Sequence, residues 1–423
     1  MKNRLIFLLC IVTLIYAAVP RAYAVQAAGG RMWEENTDEY ENEAVNVFSS
    51  QIIEVMTGAD SFVENIAGPS SFDVPCKAAF LAEQQTGQVL YEKYPDEQLP
   101  MASITKIMTM LLVMEALDEG KITLNDTVPI SEHAFSMGGS QVWLEPGEIF
   151  TVNEMLKAVA VSSANDAAVA LAEYVGGSED VFCDMMNRRA KELGMENTHF
   201  INACGLDAEG HYSTARDISV MATELMKHKE IFDYTTIWTD YLRGGETQLV
   251  NTNKLLRSYT GITGLKTGTT SRAGVCICAT ATRENMSLIA VVLGADSSQE
   301  RFSAARKLLD FGFANFETRD FPDISVLPEY IDVKLGITGR VPLICEVPQK
   351  LLFVKGVTSE LTVQVDIPEY ITAPMYKGMK AGSLTLYGSQ GKIKEYPVIL
   401  GEDAPRINMS SALTILTNKL ACM

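Results

Sequence analysis

At 423 residues the chain is longer than a single domain usually runs, and two folded domains are expected. Hydrophobic residues make up 47% and charged residues 21%, a globular composition that excludes wholesale disorder. The formal charge of −18 argues against nucleic acid as a partner, because lysine and arginine carry that affinity; one basic pocket can still sit on an acidic surface.

Lys2 and Arg4 precede an apolar run from Leu5 to about Ala18, and Ala22-Tyr23-Ala24 follows as a small-x-small cleavage site. That order predicts a secretory signal peptide over residues 1–24 and an exported protein. The apolar run is shorter than the roughly 20 residues a spanning helix needs, so cleavage is favoured over an uncleaved anchor. Cys10 follows Leu9 inside the apolar core, where a lipoprotein signal would want a small residue. Cleavage removes three cations and leaves −21 on the mature chain.

Residues 25–72 read as an acidic spacer. They begin at Ala27-Ala28-Gly29-Gly30, crowd Glu34, Glu35, Asp38, Glu39, Glu41 and Glu43 together, and end at Gly68-Pro69-Ser70-Ser71. Seven cysteines remain beyond the signal peptide, an odd and scattered set that makes no disulfide framework. Cys276-x-Cys278 is a poor zinc spacing, and with four histidines in the chain no metal and no other cofactor is expected. Buried apolar thiols are the plainer reading.

Order is expected from about Lys77. Ala78–Leu81 and Gln88–Tyr91 flank a Thr86-Gly87 turn and predict a β-hairpin. Helical patterns run from Ser103 to about Asp118, from Val152 toward Val161, from Asn165 to Val175 and from Asp180 to Leu193, three of them stopped by glycine. Strand-like runs follow at Val275–Thr282 and Ser287–Leu293, then a helix from about Gln299 to Phe313. Beyond Phe321 the pattern changes to short runs punctuated by Gly and Pro: Tyr330–Leu335, Lys350–Val354, Leu361–Ile367, Ser383–Tyr387 and Ile393–Leu400. A catalytic domain over 73–321, a β-rich domain over 322–405 and a tail over 406–423 are therefore expected.

Three motifs carry the chemistry. In Ser103-Ile104-Thr105-Lys106 the outer residues share one helical face, so Lys106 can reach the Ser103 hydroxyl and take its proton. Lysine serves only when neutral, and moving it from about 10.4 toward 7 costs roughly 4–5 kcal/mol, supplied by burial or a nearby cation. The pattern alone is weak. Ser389-Gln390-Gly391-Lys392 repeats it in an expected hairpin turn that cannot hold or desolvate the pair, whereas Ile104, Ile107, Met108 and Leu111 can bury Lys106. Ser163-Ala164-Asn165 comes second, at a helix start, and a simple helix cap explains it at least as well in isolation. Lys266-Thr267-Gly268 comes third, before a strand. Its lysine could be an edge-strand solubility device, but the flanking glycines imply close approach by another backbone or a ligand.

In this order S-x-x-K, S-x-N and K-T-G form the signature of penicillin-recognising serine enzymes. Residues from about Lys77 to Phe316 resemble the D-alanyl-D-alanine carboxypeptidases, the low-molecular-mass penicillin-binding proteins of the penicillin-binding protein 5 type. Leu144-Glu145-Pro146-Gly147, Asn197-Thr198-His199-Phe200, Gly205-Leu206-Asp207 and Tyr212–Asp217 are further family-like stretches. The β module is similar to that family's C-terminal domain. The resemblance implies a β-lactamase/transpeptidase-like α/β (α+β) catalytic domain, an antiparallel sheet flanked by helices, followed by a small all-β domain. It also implies work in the cell envelope on peptidoglycan stem peptides ending in D-Ala-D-Ala, with β-lactams as covalent inhibitors.

By that resemblance Ser103 is the nucleophile, Lys106 its base and Ser163 a proton relay. Asn165 would hold the substrate amide and the lysines, and Lys266 and Thr267 the terminal carboxylate. The backbone N–H groups of Ser103 and of Thr269, after Gly268, would hold the oxyanion. Arg301 matches a family arginine near the carboxylate pocket, with an ordinary surface charge as the equal alternative. Two positions depart from the pattern: Thr269 replaces a histidine of close relatives, and Thr252 replaces an arginine of some. A class A β-lactamase shares the motifs but needs an E-x-x-L-N glutamate, and Glu209 is the only tempting acid. A β-lactam sensor would need a spanning segment and an effector, and neither is visible. The tail places Leu413, Leu416 and Leu420 on one stripe, a weak peripheral membrane contact at most.

Overall fold

The computed structural model describes residues 72–356, 360–389 and 391–413. The expected signal peptide, the acidic spacer up to residue 71, and the tail beyond residue 413 lie outside them. Residues 409–413 are helical, with Met409 and Leu413 exposed.

Five strands form the main sheet: β1 (Ala78–Glu83), β2 (Val89–Lys93), β3 (Ile262–Thr270), β4 (Gly274–Arg283) and β5 (Met286–Ala295). Their order is β2-β1-β5-β4-β3, antiparallel throughout. All of β5 is buried, as expected of the middle strand of a sheet covered on both faces, and apart from Ser287 its sequence is accordingly a run without polar side chains. The β1–β2 turn closes on Glu83, whose buried carboxylate accepts the N–H groups of Gln85 (2.9 Å) and Thr86 (2.7 Å). Gly87 there has φ of 69°.

One face of the sheet carries α1 (Lys106–Asp118), α2 (Val152–Ser162), α3 (Asn165–Gly176), α4 (Glu179–Glu192) and α5 (Ala215–Leu225), around one hydrophobic core. The other face carries α6 (Ser298–Asn315) over a second core. α1 is apolar nearly all round because it is the inner helix, buried along almost its whole length. Thr151 and Glu154 make a reciprocal capping box at the start of α2, and Gly177, at φ 84°, ends α3. α5 was not expected from sequence, although Thr214 caps it by accepting the Asp217 N–H.

Chain beyond α6 builds β6 (Phe316–Asp320), β7 (Tyr330–Lys334), β8 (Arg340–Cys345), β9 (Lys350–Val354), β10 (Thr362–Asp366), β11 (Tyr370–Thr372), β12 (Lys380–Gly388) and β13 (Gly391–Leu400). Six of these form a sheet of order β10-β12-β13-β8-β7-β11, with its own apolar core. β6 pairs with β9, and Phe316 and Leu352 from that pair join the core beneath α6. The second S-x-x-K pattern falls at the β12–β13 hairpin, where Lys392 is exposed and bound to Glu395 at 2.6 Å. Its amine stays in water.

Candidate active site

Ser103 does not begin an α-helix, as its pattern predicted. It sits in a tighter 3-10 turn, Ala102–Thr105, which runs directly into α1. Residues three apart eclipse in such a turn, so the Ser103 and Lys106 side chains still meet. Lys106 Nζ lies 3.0 Å from Ser103 Oγ, 2.6 Å from Asn165 Oδ1 and 2.6 Å from the Cys204 carbonyl oxygen. A neutral amine has two N–H bonds and one lone pair. The two carbonyl-type oxygens can take both N–H bonds, which leaves the lone pair for the serine hydroxyl. Lys106 is fully buried, and this desolvation pulls its pKa down to about 8.

Asn165 is held for this task. Its Nδ2 donates to the Gly138 carbonyl at 2.7 Å, which turns Oδ1 toward Lys106. Next to it, buried Asp166 accepts the N–H groups of Val142 and Leu144, each at 3.1 Å, pinning the 138–144 loop beside the site. Arg243 fastens the same loop by donating to the Val142 and Trp143 carbonyls and to Glu148.

Ser163 is not the N-cap that its tripeptide allowed. It ends α2 in a left-handed conformation, φ 61°, while Ala164 takes the N-cap position of α3 without a side-chain bond. A non-glycine residue at positive φ is costly unless its surroundings fix it. The buried Ser163 hydroxyl is committed to no protein partner among the described residues.

Lys266 and Thr267 lie on β3, the edge strand, yet both are buried. That overturns the solubility reading of Lys266. The edge is covered by the Ser103 turn: a Cβ on Gly268 would stand 2.9 Å from the Ser103 nitrogen and 3.0 Å from the Met101 oxygen. Only glycine lets the backbones approach so closely. Lys266 Nζ donates to the Thr267 carbonyl at 3.1 Å. Its pKa is lowered well below the ordinary range, first by burial and then by the charges of Lys106 and Arg301.

Arg301, on α6, is likewise buried and no ordinary surface charge. It donates to the carbonyls of Gly268 and Cys276, both at 3.2 Å, and burial lowers its pKa to about 10. No carboxylate pairs with Lys266 or Arg301 among the described residues. Thr267 donates its hydroxyl to Thr252 at 2.7 Å, so Thr252 holds the motif threonine directly. Thr269 donates its own hydroxyl to the Gly268 carbonyl. Glu209 is exposed in a turn, and it makes none of these contacts.

The three motifs thus meet in one cleft margin between the sheet edge and the helices. Sequence reasoning missed the Cys204 and Gly138 carbonyls, which carry no side-chain signal. It also passed over His211, which reaches Thr105 in the Ser103 turn.

Sheet, helices and the appended all-β region define a β-lactamase/transpeptidase-like protein. Residues 64–297 match the family model described as D-alanyl-D-alanine carboxypeptidase, and residues 316–406 match that of the penicillin-binding protein 5 C-terminal domain. D-alanyl-D-alanine carboxypeptidase DacF of Bacillus subtilis (strain 168) is 46% identical over 331 residues, covering 77% of this chain and 85% of the relative. Penicillin-binding protein 5 from Haemophilus influenzae superposes with a TM-score of 0.71 at 30% identity, covering 80% of this chain and 99% of that one. Penicillin-binding protein D2 from Listeria monocytogenes, in its ampicillin-bound form, has a TM-score of 0.53 at 32% identity, covering 57% and 99%. The chain belongs to the D-alanyl-D-alanine carboxypeptidase family of hydrolases.

Proposed function

We propose that this chain removes the terminal D-alanine from peptidoglycan stem peptides through a Ser103 acyl-enzyme, and that β-lactams acylate the same serine. The observation that carries the reading is Lys106 Nζ, desolvated, donating to two carbonyl oxygens and set 3.0 Å from Ser103 Oγ.

Ser103 Oγ attacks the carbonyl of the penultimate D-alanine as its proton passes to Lys106 Nζ. The N–H groups of Ser103 and Thr269 hold the oxyanion, each such donor being worth about 10²–10³ in rate. Collapse breaks the C–N bond, and the proton on Lys106 reaches the departing D-alanine nitrogen through the Ser163 hydroxyl. Water then cleaves the ester, with Lys106 again taking the proton. Lys266, Thr267 and Arg301 receive the terminal carboxylate: two buried cations without an acidic partner offset the cost of taking an anion out of water. Asn165 holds the substrate amide as well as Lys106.

The work belongs outside the cytoplasmic membrane, a reading supported by the charged, apolar and small-residue order of residues 1–24. No helix among the described residues is long and apolar enough to cross a membrane.

The test is D-alanine release from diacetyl-lysyl-D-Ala-D-Ala by the mature protein. Ser103→Ala is expected to release none and to take no covalent label from penicillin. Release by Ser103→Ala at the wild-type rate defeats the proposal. Rapid turnover of the penicillin adduct would identify a β-lactamase instead.

A further inference from the structure

The Ser103 N–H assigned above to the oxyanion is half of a peptide group whose other half is the Ala102 carbonyl. A peptide is planar and trans, so its N–H and C=O point in opposite directions, and fixing one fixes the other. Ala102 is also a strained residue, buried and non-glycine at φ 49°. Something must hold this peptide in place.

A chain of three hydrogen bonds does so. The Thr105 hydroxyl donates to the Ala102 carbonyl at 2.8 Å. His211 Nε2 lies 2.7 Å from the same Thr105 oxygen, and His211 Nδ1 accepts the Ile201 N–H at 3.0 Å. With Nδ1 accepting, a neutral imidazole carries its proton on Nε2 and donates to Thr105. Every donor then points one way: Ile201 N–H to His211, His211 to Thr105, Thr105 to Ala102. Thr105 and His211 are both buried, so water does not compete for these bonds. Gly205 supplies the space, since a Cβ there would fall 2.0 Å from the Ala102 oxygen.

We infer that Thr105 and His211 are positioning residues for the oxyanion donor, aiming the Ser103 N–H through the Ala102 carbonyl. Neither touches the substrate. Bonds arranged in series polarise one another, so a donor on the Ala102 oxygen also strengthens the Ser103 N–H at the far side of the amide. The inference rests on the acyl-enzyme reading, and the experiment separates the two.

Acylation by labelled penicillin is timed in wild type, Thr105→Val, Thr105→Ser, His211→Ala, His211→Gln and Thr109→Val. The acyl-ester carbonyl stretch is read by infrared difference spectroscopy in each adduct. Thr109 is the control, because its buried hydroxyl donates to the Ala203 carbonyl at 2.6 Å, one turn further along α1. Removing an oxyanion donor costs about 10²–10³, and misaiming one should cost less, about 30-fold in acylation for Thr105→Val and roughly 10-fold for His211→Ala. The carbonyl stretch should move to higher frequency in both. Thr105→Ser should recover to within about three-fold and His211→Gln at least in part, since each keeps a donor; Thr109→Val should match wild type.

Thr105→Val and His211→Ala acylating at the wild-type rate with unmoved carbonyl bands would falsify the inference. So would Thr109→Val losing as much as Thr105→Val, or Thr105→Ser failing to recover although folded. If Thr105→Val does not fold, the His211 pair decides the matter by the same two readouts. A wild type that neither takes the label nor releases D-alanine removes the acyl-enzyme reading, and this inference with it.

Discussion

A lysine that acts as a base near neutral pH must spend part of its time unprotonated, and the role proposed for Lys106 is supported by its loss of water. Burial, rather than the neighbouring Lys266 charge, is the cause that lowers it to about 8. The sign follows directly: below 8 the amine is mostly protonated and cannot take the serine proton. D-alanine release is therefore expected to climb with pH to a midpoint near 8, about tenfold between pH 6 and 7, and then level. A rate that falls across that interval in buffered steady-state assays contradicts the assignment of the base. Thr252 supplies a second test. It accepts the hydroxyl proton that Thr267 could otherwise offer to a carboxylate. Thr252→Val removes that acceptor while keeping the side chain's shape, so KM should fall by roughly three-fold, the scale of one redirected hydrogen bond.

At the level of elements, most of the architecture was legible because burial patterns repeat with the period of the backbone. β4 and β5, α1 to α4, and α6 were expected within a few residues of where they lie. α5 was overlooked because its family-like start, Tyr212–Asp217, stands out as a motif and not as a cap. The strands Phe316–Asp320 and Arg340–Cys345 carry charged or proline residues that dilute their alternation. In the site, side-chain motifs could be read and backbone partners could not: nothing in Cys204 or Gly138 as letters announces a carbonyl aimed at Lys106 or Asn165. Glycine was the usable signal, marking places where two elements touch backbone to backbone. Gly205→Ala would set a Cβ 2.0 Å from the Ala102 oxygen, with φ of 87° adding strain. Overlap with a backbone atom cannot be relieved by a rotamer change. The variant should lose more than about a hundred-fold in acylation and melt several degrees lower, at a cost of roughly 2–3 kcal/mol. Wild-type melting and acylation in Gly205→Ala would show that the turn can yield.

Across the whole molecule, the chain carries a formal charge of −18, and the site is built on three buried basic side chains, Lys106, Lys266 and Arg301. Surface acids repel an anionic peptide at long range, and salt screens them beyond a Debye length of about 10 Å at 0.1 M. The buried cations are screened far less. Raising ionic strength from about 10 to about 200 mM is therefore expected to increase kcat/KM for a peptide carrying extra carboxylates by about two- to five-fold, through faster association. A substrate with a single terminal carboxylate should change less, and a decrease for the more acidic peptide would show that the pocket, not the surface, sets the field.

Gly205 and Gly268 both press on the Ala102–Ser103 backbone, and that has a bearing on drug insensitivity. Every amino-acid replacement at either glycine adds at least a Cβ, which would stand 2.0 Å from the Ala102 oxygen at one and 2.9 Å from the Ser103 nitrogen at the other. Selection under an antibiotic that targets Ser103 therefore has no small step available at the floor of the site. Any escape that preserves the enzyme must come from its margins, at positions such as Thr252 and Thr269 whose side chains have room to change.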